Sequence, residues 1–271
     1  MPELPEVETT RAGVTPFLEG KQIAEFKLRR RDLRWPISAE LPEIAIGQQI
    51  AAVIRRGKYL IFQLQHGALL LHLGMSGSLR VAQSEEPLKK HDHWQLFVSD
   101  GHELRFNDPR RFGALFWAPE WQAHSLIASL GPEPLSEHFD ADYLWGKSRS
   151  RNVAIKTLIM DAKTVVGVGN IYAAESLFHA RIHPTLPAAK LSKPQAATLV
   201  EEIQTVLAAA IQRGGTTLRD YVNGSGNPGY FQQELWVYGR AEEPCKVCGM
   251  PIEQIRLGQR ASCFCPYCQK T

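Results

Sequence analysis

Tyr59-Leu60-Ile61-Phe62-Gln63-Leu64-Gln65-His66-Gly67-Ala68-Leu69-Leu70-Leu71-His72-Leu73 decides the fold of the first half of this 271-residue chain. Two apolar runs, each short for a helix, flank His66-Gly67, a dipeptide suited to the tight turn of an antiparallel hairpin. Working outward, the same rhythm recurs. Residues 23–28, 50–54, 79–82, 94–98, 104–106 and 114–117 are β-like, and Asp100-Gly101 is a second turn. Eight short strands at this spacing predict an antiparallel sandwich or barrel.

The stretch ahead of these strands is unusual. Pro2-Glu3-Leu4-Pro5-Glu6-Val7-Glu8 alternates acids and prolines. A helix is predicted over 6–18, with Pro5 in its first turn and Val7, Val14, Phe17 and Leu18 on one face. Removal of the initiator Met, usual before a residue as small as proline, leaves the secondary amine of Pro2 as the terminus. An α-amino group has a reference pKa of about 7.7–8.0, so roughly a tenth is neutral at pH 7. A neutral amine attacks carbonyl-like carbon. A secondary amine gives an iminium that has no N–H proton to lose and keeps its charge as an electron sink. Glu3 stands beside it as an acid or base.

After Leu130-Gly131-Pro132-Glu133-Pro134-Leu135, which looks like a linker, the pattern turns helical. Ser192 and Gln195 form a predicted capping box, followed by an apolar face of Leu199, Ile203, Val206, Leu207, Ala210 and Ile211 that stops at Gly214-Gly215. The chain is therefore α+β. Its composition, 44% hydrophobic and 22% charged, is ordinary for one or two globular domains. A net charge of +3 permits an anionic partner. No apolar run is long enough to span a bilayer, and the start lacks a signal-peptide pattern, so a cytoplasmic protein is expected.

All five cysteines follow residue 244. Cys245-x2-Cys248 and Cys265-x2-Cys268 are separated by sixteen residues, the spacing of a closed tetrahedral zinc site. Four thiolates with no open position make that zinc structural. Cys263 falls outside the spacing, and the loop between the pairs offers Arg256 and Arg260. Asn107-Asp108-Pro109-Arg110-Arg111-Phe112-Gly113 sets arginine beside an aromatic in a loop, the chemistry of a duplex wedge. Met75, in another glycine-flanked turn, is a second apolar wedge; each turn alone also fits simple packing. Gly167-Val168-Gly169-Asn170 leads into a helix whose exposed N–H groups suit phosphate oxygens. Arg29 to Arg31, Arg55, Arg56, Lys58, Lys147, Arg149, Arg151 and Lys156 are candidates for one phosphate groove.

Taken together, the chain from Pro2 to Lys270 resembles bacterial formamidopyrimidine-DNA glycosylases. The resemblance rests on the opening stretch, His72-Leu73-Gly74-Met75-Ser76-Gly77, Lys89 with His91-Asp92-His93, Asp108-Pro109-Arg110-Arg111-Phe112-Gly113, Gly167 to Tyr172, Pro228-Gly229-Tyr230-Phe231 and the four cysteines. It implies an N-terminal antiparallel β-sandwich (1–131), a helix–two-turn–helix domain (132–235) and a β-hairpin zinc finger (236–270). It also implies a monomeric enzyme that excises oxidised purines from double-stranded DNA and then cuts the strand. By matched position, Pro2 is the nucleophile, Glu3 the acid, Lys58 the β-elimination lysine and Arg260 a phosphate clamp linked to δ-elimination. His91, Arg110, Arg151, Lys156, Asn170 and Tyr230 are DNA-binding positions, with Met75, Arg110 and Phe112 filling the gap left by the flipped nucleotide. Cys245, Cys248, Cys265 and Cys268 hold one zinc ion. The damage-reading loop falls between Thr216 and Tyr230. Two alternatives are an endonuclease VIII-like enzyme for oxidised pyrimidines and a non-enzymatic zinc-finger DNA-binding protein. Leu4 and the complete Met75–Arg110–Phe112 set favour the oxidised-purine branch, and Pro2-Glu3 would be idle in a mere binder.

Overall fold

The computed structural model describes residues 2–83, 85–214 and 235–271, so the Thr216–Tyr230 stretch and Tyr230 itself lie outside the described residues. The chain forms two compact units, one over residues 2–128 and the other over 129–212 with 235–271.

In the first unit, helix α1 runs Leu4–Leu18, two residues earlier than expected. The reason is a capping box. Glu3 is the N-cap, and its backbone N–H donates to the Glu6 carboxylate at 2.8 Å. Val7, Val14 and Leu18 are buried. The expected strands are all present: β1 (Ile23–Leu28), β2 (Ile50–Arg56), β3 (Tyr59–Leu64), β4 (Ala68–His72), β5 (Ser78–Ala82), β6 (Asp92–Val98), β7 (Glu103–Asn107) and β8 (Ala114–Ala118). A short helix α2 (Leu41–Ala45) lies between β1 and β2. The strands form two antiparallel sheets, β1-β6-β7-β5 and β2-β3-β4-β8. The 59–73 stretch is the central hairpin of the second sheet, paired Tyr59 to His72 and Gln63 to Ala68. Gly67 sits at φ 73°, where a Cβ would meet the Trp117 ring at 2.4 Å, so only glycine fits that turn.

One apolar cluster joins the sheets. Phe26, Leu79, Trp94, Leu96, Leu104 and Phe106 from the first meet Val53, Leu60, Phe62, Leu69, Leu71 and Leu115 from the second. Of the two architectures the strand pattern allowed, this is the sandwich. Trp94 lies between Phe26, which it meets edge-on at 5.6 Å, and Phe106, on which it stacks at 5.4 Å. Helix α3 (Ser125–Ala128) closes the unit.

The second unit holds α4 (Ala141–Ser148), α5 (Ile155–Met160), α6 (Asn170–His179), α7 (Lys193–Gln212) and a hairpin of β9 (Glu253–Leu257) and β10 (Arg260–Phe264). Asp140 caps α4 by accepting the Tyr143 N–H at 2.7 Å. Ser192 Oγ accepts the Gln195 N–H at 3.3 Å ahead of α7, as the capping pattern predicted. On α7, Ala196, Leu199, Val200, Ile203, Leu207 and Ala210 are buried at helical spacing. Among the described residues no helix is long and apolar enough to cross a membrane.

Candidate functional site

The capping box explains how a chain terminus becomes a defined site. Glu3 is 2% exposed and Glu6 is 0% exposed, so both carboxyl groups are held inside the protein next to Pro2, itself buried. Helix α1 packs against β2 and β3, the two strands whose connecting turn carries Lys58. Glu8, one turn further along α1, receives Arg55 at 2.9 Å and Arg11 at 2.7 Å. Arg55 thus serves in part to fix α1 to β2. Lys58 follows Gly57 at φ 57° and is partly exposed. Its charge is felt by His72, on the strand paired with Tyr59. Burial, then the cations Lys58 and Arg34, push the His72 imidazole down to about 4. The neutral ring accepts the Gly74 N–H on Nδ1 at 3.0 Å.

Gly74 opens the Met75 turn. At φ 71°, its missing side chain lets the backbone of Phe112 approach: a Cβ there would lie 2.4 Å from Phe112 C. The Met75 turn and the Arg110–Phe112 turn are therefore in backbone contact. Asp108 holds both. Its Oδ1 accepts from Ser76 Oγ at 2.7 Å, and its Oδ2 accepts the Gly113 N–H at 2.8 Å. Met75 is 39% and Phe112 41% exposed, and the Arg110 guanidinium lies 4.9 Å over the Phe112 ring. The three wedge residues expected from separate motifs are brought together. Arg111 takes a different course. Its backbone is left-handed at φ 58°, and its side chain pairs with Asp32 at 2.7 Å.

His91 also has a left-handed backbone, at φ 76°. The neighbouring Asp92 receives Arg80 at 2.5 Å, the Lys89 N–H at 2.9 Å and Asn107 Nδ2 at 2.9 Å. Those bonds pin the unfavourable turn. Arg29, Arg30, Lys90 and His91, with Asp32, Asp92 and His93, line a cavity of about 570 Å³.

In the second unit, Lys156 is 1% exposed. Its Nζ donates to Asn170 Oδ1 at 2.8 Å and Ser262 Oγ at 2.7 Å, and Asn170 Nδ2 donates to the Ala261 carbonyl at 3.1 Å. Asn170 opens α6 after Gly169, at the helix end where N–H groups point outward. The hairpin is thereby tied to that end. Arg151 and Arg260 are exposed, and with Lys156, Asp161 and Gln259 they line a cavity of about 470 Å³. Other arginines of the basic series, though exposed, are engaged by the protein's own backbone and rings. Arg149 donates to the Leu191 carbonyl and lies 4.8 Å over Trp145, and Arg31 donates to the Ile37 carbonyl at 3.1 Å.

The four cysteines fit a zinc ion. Their sulfurs all lie within 4.8 Å of one another, with Cys245–Cys268 at 3.9 Å and Cys248–Cys265 at 3.5 Å. Tetrahedral zinc with bonds of about 2.3 Å requires sulfur separations of about 3.8 Å. Val247 N–H reaches Cys245 Sγ and Cys268 N–H reaches Cys265 Sγ, each at 3.4 Å. Burial, followed by the neighbouring thiols, pushes Cys268 up to about 12, and burial also raises Cys265, whereas against the effect of burial the backbone N–H groups of Cys248 and Val247 bring Cys245 down to about 7. Four thiolates side by side thus call for a dication among them. Cys263 is 4% exposed, packs in the apolar cluster behind the knuckles and lies 3.5 Å from Gln254 Oε1.

The sequence pattern alone did not single out Ser76, Asp108, Glu175 or His72. Glu175, buried on α6, accepts the N–H groups of Trp236, Val237 and Tyr238 at 2.8, 3.0 and 2.8 Å. Acids set inside loop or helix motifs, between residues with assigned roles, were the available signal.

A β-sandwich with a buried acidic terminus, joined in sequence to a helical unit with a four-cysteine hairpin, defines a zinc-finger DNA glycosylase. Three family models cover most of the chain: the formamidopyrimidine-DNA glycosylase N-terminal domain over residues 1–115, the H2TH domain of the same enzymes over 130–222, and the zinc finger found in FPG and IleRS over 242–271. The chain belongs to the formamidopyrimidine-DNA glycosylase family. It is 55% identical over 270 residues to the formamidopyrimidine-DNA glycosylase of Stutzerimonas stutzeri strain A1501, covering 100% of both chains. It is similar to the Lactococcus lactis enzyme non-covalently bound to DNA containing an AP site, with TM-score 0.89, 33% identity and coverage of 99% and 100%. It is also similar to MutM in complex with DNA containing carbocyclic 8-oxo-G, with TM-score 0.90, 35% identity and full coverage of both chains.

Proposed function

We propose that this protein is a bifunctional DNA glycosylase/AP lyase of base excision repair. It excises oxidised purines, 8-oxoguanine and formamidopyrimidines, from duplex DNA and then cleaves the strand. The observation that carries this reading is the terminal capping box, which fixes Glu3 beside Pro2 in a chain of this family. Relatives of the same fold are bound to AP-site DNA and to 8-oxo-G analogue DNA.

The target base must leave the stack before it can react, at a cost of about a few kcal/mol. Met75, Arg110 and Phe112 offset that cost by filling the gap. His91 and Arg151 hold backbone phosphates. Asn170 does so with its orientation set by Lys156. The neutral Pro2 nitrogen attacks C1′ while Glu3 protonates the opening sugar oxygen, and the oxidised base departs. The iminium acidifies C2′, whose proton passes to Lys58 as the base of the first elimination. The 3′ phosphate then leaves. A second elimination expels the 5′ phosphate while Arg260 clamps it, and water hydrolyses the remaining Schiff base to restore Pro2. Zinc, once bound, supplies only the rigidity of the finger. The three expected parts, 1–131, 132–235 and 236–270, divide this work, with Tyr230 and the 216–230 stretch assigned to DNA contact. The chain acts in the cytoplasm as a monomer.

Borohydride trapping on an 8-oxoguanine duplex tests the reading. A covalent protein–DNA adduct is expected, lost in Pro2→Gly and in protein that retains Met1. Tight binding with neither adduct nor strand scission would mean a non-enzymatic binder, and faster excision from a thymine-glycol duplex would mean the pyrimidine branch.

A further inference from the structure

Met75 lies on one turn and Arg110 with Phe112 on another, thirty-odd residues apart in sequence. A wedge divided between two turns works only if they keep a constant spacing under load from a stacked duplex. The residue that spans them is Asp108, which is 0% exposed. One carboxylate oxygen accepts from the Ser76 hydroxyl and the other from the Gly113 N–H, so each turn holds one oxygen. Ser76 Oγ in turn accepts the Arg110 N–H at 3.2 Å. The backbone adds further ties. The Asp108 carbonyl accepts from Arg111 N–H at 3.2 Å and lies 2.7 Å from His93 Nε2, while its own N–H donates to the His91 carbonyl at 3.1 Å. Polar ties are inside and apolar tips are outside: Ser76 is 6% exposed, whereas Met75 and Phe112 are each about two-fifths exposed.

The energetics point the same way. Both carboxylate oxygens are met by neutral donors. A fully buried acid without a counter-ion at its oxygens is costly compared with an apolar residue of equal volume. An apolar residue would fill the space but could not bind both turns at once. The direct contact of Gly74 with the Phe112 backbone leaves no slack between them.

We propose that Asp108 is a positioning residue that couples the two turns, so that Met75 and the Arg110–Phe112 pair enter DNA as one rigid unit; this rests on the wedge reading given above. A latch needed only for stability would lower the melting temperature and leave the two turns independent in function. A coupler makes them act together.

The test uses the full chain and a duplex carrying 2-aminopurine beside 8-oxoguanine, whose stopped-flow fluorescence reports unstacking at the lesion. Met75→Ala, Phe112→Ala and the double variant are compared in the wild-type and Asp108→Ala backgrounds, with thermal melting as the folding control. In the wild-type background the double variant is expected to be no slower than the worse single one, roughly tenfold short of the product of the two effects. In the Asp108→Ala background the two effects multiply. Asp108→Asn restores most of the coupling, because its amide oxygen can accept from Gly113 and its NH₂ can donate to Ser76. If Asp108→Ala does not fold, Ser76→Ala cuts the bond to Asp108 Oδ1 and, with it, the Arg110 N–H bond, leaves the Gly113 tie in place, and carries the same cycle. Equal coupling in both backgrounds overturns the inference while leaving the wedge intact. No effect of Met75→Ala or Phe112→Ala in wild-type protein overturns the wedge reading, and this inference with it.

Discussion

Lys156 donates a 2.8 Å hydrogen bond from a nearly fully buried side chain to the side-chain oxygen of Asn170. The same ammonium reaches Ser262 on the zinc hairpin, so a single lysine sets both the rotamer at the start of α6 and the seat of β10. Lys156→Met keeps an unbranched chain one atom shorter and removes the donors. Leaving the Asn170 and Ser262 oxygens short of a partner is expected to cost about 1–3 kcal/mol in urea unfolding. Affinity for a duplex with a tetrahydrofuran abasic site is expected to fall roughly tenfold, about 1.4 kcal/mol. An unchanged affinity would show that Asn170 needs no such support.

The cysteine cluster makes a prediction about metal. The purified protein should carry one zinc ion per chain by atomic emission. Cys245→Ser removes one corner of the tetrahedron and should release the ion. Because binding energy in such small sites is folding energy, hydrogen exchange should rise across β9 and β10 and leave β3 and β4 protected. Zinc retained in full by Cys245→Ser would contradict the four-ligand assignment.

Glu3 has two separable duties. As N-cap it completes the capping box with Glu6, and as an acid it is assigned to sugar-ring opening. Glu3→Gln keeps a side-chain oxygen for the cap and a backbone N–H for Glu6. Its melting temperature is therefore expected within about 2 °C of wild type, well under the loss of a whole cap. Base excision from an 8-oxoguanine duplex should disappear. Full excision by a folded Glu3→Gln protein would remove Glu3 from the chemistry.

His72 links the sandwich to pH. Its folded value, about 4, is depressed below the ordinary 6.5, so between those limits the unfolded chain binds a proton that the folded chain does not. The stabilisation is complete above pH 6.5 and is lost as pH falls toward 4. For a partly exposed ring, a loss of roughly 2 kcal/mol is expected, discounted from the about 1.4 kcal/mol per unit of full burial. His72→Asn, which keeps an acceptor for the Gly74 N–H, should flatten that part of the stability–pH curve. Urea midpoints at pH 5 and pH 7.5 give the comparison. An equal drop in the variant would assign the pH dependence to other groups.

Local rules made much of this protein legible from its residues alone. Strand runs punctuated by His66-Gly67 and Asp100-Gly101 depend on side-chain alternation and turn chemistry, which act over a few residues. The cysteine pairs are legible for the same reason, because each pair supplies two ligands from one short turn. Tertiary structure decided what depends on contacts between distant residues. Strand spacing allowed a sandwich or a barrel until the packing of Trp94 and Phe106 against Phe62 and Leu71 chose between them. Basic residues look alike in sequence, yet Arg149 is turned to a backbone carbonyl, Lys156 is buried and Arg260 is exposed. Asp108 reads as an ordinary acid ahead of a proline. It becomes the tie between Ser76 and Gly113 only because the fold folds one turn against the other, and the worth of a hydrogen bond depends on that exclusion of water rather than on residue type.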